Sequence, residues 1–140
     1  MDIFKAISDL TTLPGVTGNE AAVSRAVQGY FRAHTSDVWI DPMGNTYGRI
    51  GNPDGPTLLV MAHMDEVGMM VTEIEENGML RLRSVAGVDP RVLPGSEVRV
   101  YGREVLPAVV GAMPPHLLNK DDKNKAYKID DLSRRPSGLR

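Results

Sequence analysis

LLVMAHMDEVGMMV, residues Leu58 to Val71, sets a cluster of ionisable side chains inside an apolar run. Apolar residues lead up to His63, carboxylates follow at Asp65 and Glu66, and apolar residues then resume. Burying such groups without partners is costly. Either something pairs them, or a strand ends there and presents them to a site. Taken back to Thr57, "TLLVMAH" (57–63) is a continuous apolar run. That is the pattern of a strand covered on both faces in an α/β sheet. Ligands of open α/β sheets gather at the carboxyl ends of strands, the expected place of His63 and Asp65.

Working upstream, "GNPDGP" (51–56) is turn chemistry. "DPMGNTYGRI" (41–50) reads as a turn followed by a strand, and "DVWI" (37–40) as a short strand before it. A helix is expected from about Asn19 to Ala33, with Ala22, Val23, Ala26, Val27, Tyr30 and Phe31 as its apolar stripe. Asn19 suits the N-cap, and Glu20 suits the positive end of the helix dipole. Pro14, Gly15 and Gly18 make "TTLPGVTGNE" a loop. Before it, Ile3, Phe4, Ile7 and Leu10 have helical spacing, with Asp2 available as a cap. Two helices and a buried strand predict the opening half of a layered α/β domain.

Downstream of Gly68 only strands and turns are expected. "MMVTEIEENGMLRLRSV" reads as two strands joined at Glu76–Asn77–Gly78, where Asn-Gly is a strong hairpin signal. "SEVRVYG" and "LPAVVGAM" are further short strands. Several short strands with regular turns predict a small barrel or sandwich. The architecture thus changes just after the acids.

The chain of 140 residues is long enough for a core, with ordinary hydrophobic (41%) and charged (24%) fractions. A net charge of −2 gives no reason to expect nucleic acid, and two Phe, one Trp and four Tyr are a poor base-stacking platform. The absence of cysteine removes disulfides and thiolate ligands and suits a reducing cytoplasm. "MDIFKAISDL" lacks the basic start and apolar core of a signal peptide. Apolar runs fall far short of the ~20 residues that span a bilayer, so a cytoplasmic protein with no membrane partner is expected. Residues 117–140 hold seven Lys/Arg and four Asp/Glu, whereas the remainder holds nine and fourteen. The basic end is expected to be a solvated or disordered surface.

His63-Met64-Asp65 combines a metal-ligand residue type with a carboxylate that can orient it through its other ring nitrogen. The bland alternative is a strand-end histidine hydrogen-bonded to a neighbour. Glu66 is either a third participant or the start of a turn. Asp54, Glu73 and Asp89 lie in turns or strands without ligand spacing, and His34 sits where a helix end favours a cation.

"PGVTGNE", "DPMGN", "LLVMAHMDEVGMMV" and "GAMPPHL" follow one another in this order. Together they resemble the glutamyl/leucyl aminopeptidase family of dinuclear metallopeptidases, which build tetrahedral assemblies. The resemblance covers roughly residues 4–130 and implies the fold class: the N-terminal part of a zinc-peptidase-like α/β sandwich, then a small β-rich, barrel-like inserted domain used for subunit contacts. The implied divisions are 1–67 for the catalytic part, 68–128 for an incomplete β-rich dimerisation domain, and 129–140 for a divergent or disordered tail. It implies removal of N-terminal residues from peptide substrates, two zinc or cobalt ions in a complete site, and a homo-oligomer formed through the β-rich domain. Position by position, His63 matches a metal ligand and Asp65 the catalytic acid that orients it. Gly15, Gly18 and Glu20 match the N-terminal loop and helix start. Asp41, Gly44 and Asn45 match a turn, and Pro115 and His116 a strand-end motif of structural role.

The family's remaining ligands, its general base and its second histidine follow the inserted domain, and none is matched in this sequence. "KAYKIDDL" (125–132) resembles the start of the next family element, whereas "SRRPSGLR" (133–140) does not and reads as an unstructured or out-of-frame end. The expectation is therefore an N-terminal fragment or truncated relative, inactive alone. Missing strands would leave exposed sheet edges, so marginal stability or self-association is expected. Two other functions stand beside this one. One is a non-catalytic interaction or oligomerisation module. The other is a glycoside hydrolase using Asp65 and Glu66, although neighbours on an extended strand face opposite ways.

Overall fold

Asp2 starts the first helix. Its carboxylate accepts the Lys5 backbone N–H at 3.1 Å, and α1 runs Ile3–Thr11. The computed structural model describes residues 2–112, Ile129 and 133–136. The chain divides into two compact units, Met1–Glu66 and Val67–Arg140. No helix among the described residues is long and apolar enough to cross a membrane.

In the first unit, α1 meets α2, Ala21–Arg32, where the Tyr30 hydroxyl donates to Asp9 at 2.8 Å. The predicted Asn19 cap is corrected by one residue. Asn19 N–H is consumed in a turn onto Val16 O, with Gly18 at a φ of 89°. Glu20 takes the N-cap position, and its carboxylate accepts the Gly18 N–H at 2.7 Å. The inner face of α2 buries Val23, Ser24 and Gln28.

That helix packs on a hairpin of β1, Val38–Ile40, and β2, Thr46–Gly48. Ser24 and Thr46 share a hydroxyl hydrogen bond of 2.8 Å, and Trp39 stacks on Tyr47 across the strands with centroids 5.0 Å apart. A Cβ on Gly48 would lie 2.8 Å from Phe31 Cδ2 and 2.9 Å from its Cγ, too close for a real contact. Gly48→Ala is therefore expected to cost about 1–3 kcal/mol by overpacking. Denaturant unfolding read through Trp39 measures this, and Phe31→Leu in the same chain should recover part of it.

Asp41 organises the hairpin turn. Its carboxylate accepts from Met43 N–H (2.9 Å), Asn45 N–H (2.9 Å), Asn45 Nδ2 (2.8 Å) and Tyr47 OH (3.1 Å). These donors, the Asn45 side chain first, hold its pKa below the ordinary carboxylate value. A group depressed in the folded state adds stability above its unfolded pKa and loses it as pH falls through the folded value. The hairpin should thus loosen only below the usual aspartate range of about 3.9. Acid titration of Trp39 emission checks this, and Asp41→Asn should flatten the transition.

The strand expected at 57–63 is corrected. These residues join no strand, and Leu58, Leu59, Val60 and Met61 are 64–88% exposed. A strand exists only where a neighbour takes its N–H and C=O groups, and no described residue pairs with this run. The apolar side of α1 is likewise uncovered, with Ile3, Phe4 and Ile7 exposed and only Ala6 buried.

The second unit is a five-stranded antiparallel sheet: β3 (Gly68–Ile74), β4 (Leu80–Val85), β5 (Glu97–Tyr101), β6 (Val105–Gly111) and β7 (Ser133–Pro136), in spatial order β3-β4-β7-β6-β5. The predicted β3–β4 hairpin forms around Asn77-Gly78, with Gly78 at a φ of 80° and Glu75 N–H bonded to Met79 O at 2.8 Å. A bulge between Val71 and Glu73 interrupts the edge strand β3, the sort of irregularity that blunts an edge. On β4, buried Leu80 and Leu82 alternate with exposed Arg81 and Arg83, as one covered and one wet face require. Buried Leu93 and Val110 gather Met69, Val88, Val98, Ala112 and Ile129 around them.

Among the described residues no further strand pairs with β3 or β5. Residues 133–136, expected within a divergent or disordered tail, form β7 between β4 and β6. Pro115 and His116 lie outside the described residues.

Candidate functional site

The run 57–63 leads to His63, Asp65 and Glu66, and the two acids meet the loop joining α1 and α2. Val16 and Glu66 form a parallel bridge. Glu66 N–H donates to Gly15 O at 2.7 Å, and Thr17 N–H to Glu66 O at 3.4 Å. Gly15 N–H in turn donates to Glu66 Oε1 at 3.2 Å. A Cβ on buried Gly15 would sit 2.9 Å from Val23 Cγ2 and 3.4 Å from Met64 O. The loop therefore lies against α2 and residues 64–66 at a spacing that glycine permits.

His63 Nδ1 is 2.9 Å from Asp65 Oδ1 and 3.0 Å from Asp65 O. An ionised carboxylate and a carbonyl can only accept. Nδ1 must therefore carry the proton, which leaves Nε2 of the neutral imidazole as a lone-pair donor. The side chain is 85% exposed. The second carboxylate oxygen, Oδ2, accepts from Thr17 Oγ1 at 2.7 Å. The Thr17 hydroxyl, and then His63, hold the Asp65 pKa below its ordinary value. Asp65 stays ionised at neutral pH and remains an acceptor.

This arrangement matches one arm of a metal–histidine–carboxylate site. It is not a complete site, because no group of three or more His, Cys, Asp or Glu that could hold an ion occurs among the described residues. The weaker candidates have structural surroundings. Asp89 clamps Arg91 at 2.6 Å, which lowers its pKa to about 2. Glu73 lies opposite Arg81 in the β3–β4 register. Asp54 N–H bonds to the Asn52 side chain in a turn, and His34 N–H to Phe31 O after α2. Glu20 is tied to Gly18. Glu66 belongs to the clamp on Gly15. Sequence reasoning passed over Thr17, whose one signal was a hydroxyl within "PGVTGNE".

Two solved structures share this architecture, and known proteins are similar to the chain in sequence. The crystal structure of a TET aminopeptidase from a marine sediment archaeon, Thaumarchaeota archaeon SCGC AB-539-E09, superposes with a TM-score of 0.89 at 25% identity, over 96% of this chain and 38% of that one. A structure described as an endoglucanase from Thermotoga maritima does so with a TM-score of 0.67 at 31% identity, over 91% and 43% respectively. Lysyl aminopeptidase of Pyrococcus furiosus is 34% identical over 119 residues, which is 84% of this chain and 34% of that protein. The chain spans about a third of the length of the curated relatives it matches. Residues 44–133, well over half of the sequence, match the M42 glutamyl aminopeptidase family, and the chain belongs to that family.

Proposed function

We propose that this sequence is part of a metal-dependent aminopeptidase, to which it contributes His63 as a metal ligand and Asp65 as the acid that orients it. The observation that carries the reading is the pair of acceptors on His63 Nδ1, which reserves Nε2 for a cation. Zinc or cobalt is the chemistry that suits a neutral imidazole. Bound ions of this kind supply a water of lowered pKa and polarise a peptide carbonyl. In this reading His63 holds its end of the site, Asp65 keeps the ring turned and its Nδ1 protonated, and Thr17 and Gly15 steady the acids. In this reading the 140 residues do not complete the site and are inactive alone. Peptides are the substrates. A catalytic part at 1–67 and a β-rich part after it that makes the subunit contacts belong to the same reading. So does a cytoplasmic location, which a cysteine-free chain suits.

The test is release of single N-terminal residues from short peptides by the purified chain. It is run with zinc, with cobalt and with a chelator, beside His63→Ala. No turnover is expected, while cobalt should perturb the His63 ring resonances. Metal-dependent turnover lost in His63→Ala would mean that an oligomer completes the site. Turnover that survives the chelator, or a His63 ring indifferent to cobalt, would overturn the reading.

A non-catalytic interaction module is the second reading. The uncovered apolar run at Leu58–Met61 favours it, together with the lack of a three-residue metal cluster among the described residues. Co-purification with a longer relative, without metal-dependent binding at His63, would select it. The glycoside hydrolase reading has one structural neighbour's description behind it. The local chemistry opposes it: a general acid needs a raised pKa, whereas Asp65 is held low and Glu66 is engaged by Gly15 N–H. Metal-independent release of reducing sugar would be needed to restore it.

A further inference from the structure

We infer that Thr17 is the positioning residue of the His63 arm: its hydroxyl fixes the rotation of the Asp65 carboxylate, and through it the tautomer of the histidine. A carboxylate at the end of a short side chain turns freely, since its terminal torsion is broad. A single partner on one oxygen leaves that rotation open. Here both oxygens are held, Oδ1 by His63 Nδ1 at 2.9 Å and Oδ2 by Thr17 Oγ1 at 2.7 Å.

Thr17 can act as a fixed post because its own backbone is fixed. Its N–H donates to Glu66 O, and the residue two before it exchanges bonds with Glu66 in both directions. The hydroxyl is what matters, so valine, of nearly the same shape, is not equivalent. One competitor acts on the same proton: the Asp65 carbonyl, 3.0 Å from Nδ1. If that carbonyl alone sets the tautomer, Thr17 is dispensable. The functional meaning of the inference rests on the metal reading of His63, but its physical content does not.

The test uses the full 140-residue chain labelled with 15N-histidine, without metal, about two pH units above the ordinary histidine value of ~6.5. Long-range proton–nitrogen spectra distinguish the two neutral tautomers. In the unaltered chain His63 should be in the Nδ1–H form, whereas an unrestrained imidazole favours Nε2–H. Thr17→Val should turn the single form into a mixture dominated by Nε2–H, and Thr17→Ser should restore the original spectrum. Thr17→Ala serves the same comparison should the valine variant not fold, and the amide spectrum of α2 reports folding in each.

His63 found as Nε2–H in the unaltered chain overturns the inference without any variant. So does a folded Thr17→Val or Thr17→Ala that keeps the original tautomer, because the carbonyl then suffices. A merely structural role for Thr17 would lower stability in Thr17→Val and Thr17→Ser alike and leave the ring nitrogens unchanged. Cobalt added to the unaltered chain separates the two proposals. A tautomer that follows Thr17 together with a ring indifferent to cobalt would uphold this inference while ending the metal reading.

Discussion

On the proposed metal reading, replacing Asp65 by alanine is expected to weaken cobalt or zinc binding at His63 by about 10–100-fold, the usual cost of losing a carboxylate behind a ligating histidine. The carboxylate does two things that alanine cannot. It accepts the Nδ1 proton at 2.9 Å, and as an anion it raises the basicity of the opposite nitrogen. The backbone carbonyl at 3.0 Å remains in the variant, so a residual affinity should persist. Titration of the His63 ring resonances with cobalt measures the ratio directly in the same 140-residue chain. Because Asp65 is ionised throughout the neutral range, the ratio should not change between mildly acidic and neutral pH on its account. Equal affinities in the two proteins would show that the carboxylate is a bystander.

Leu82→Ala is expected to destabilise the β unit by about 2–5 kcal/mol, the range for truncating a buried leucine. Leu82 is 5% exposed and stands opposite Val71 across the β3–β4 ladder. Total stabilities of about 5–15 kcal/mol leave little margin for such a loss. The next residue along the strand, Arg83, faces the other way and is exposed. Arg83→Ala should stay within about 0.5 kcal/mol. Amide exchange along β3 and β4 reads both variants, and similar protection in the two would contradict the one-sided core.

What was legible in the sequence was local. Asn77-Gly78 makes its turn from its own torsions, and the β3–β4 hairpin follows. Asp2 caps α1 through a bond three residues away. His63 and Asp65, two residues apart, meet as their spacing suggested. What failed was what depends on distant partners. "TLLVMAH" has a strand's composition, but a strand is a relation between chains, and no described neighbour supplies it. "SRRP" has no strand's composition, yet β7 forms because β4 and β6 offer ladders on both sides. Asn19 is a good cap by residue type and was displaced by a turn that glycine at position 18 makes easy. Thr17 was missed because nothing near it in sequence reveals a carboxylate 48 positions later.

That separation also bears on the order in which the molecule assembles. Joining Thr17 to Asp65 closes a loop of 48 residues, with an entropic cost of about 3 kcal/mol from chain length alone. The β1–β2 hairpin closes a separation of only six positions, from Ile40 to Thr46, and forms on the microsecond scale typical of hairpins. In refolding, Trp39 should therefore report its stack on Tyr47 before the imidazole of His63 acquires its final tautomer. The chemistry of the histidine is then a late acquisition, set only when the first loop of the chain has found the end of the run that follows the hairpin.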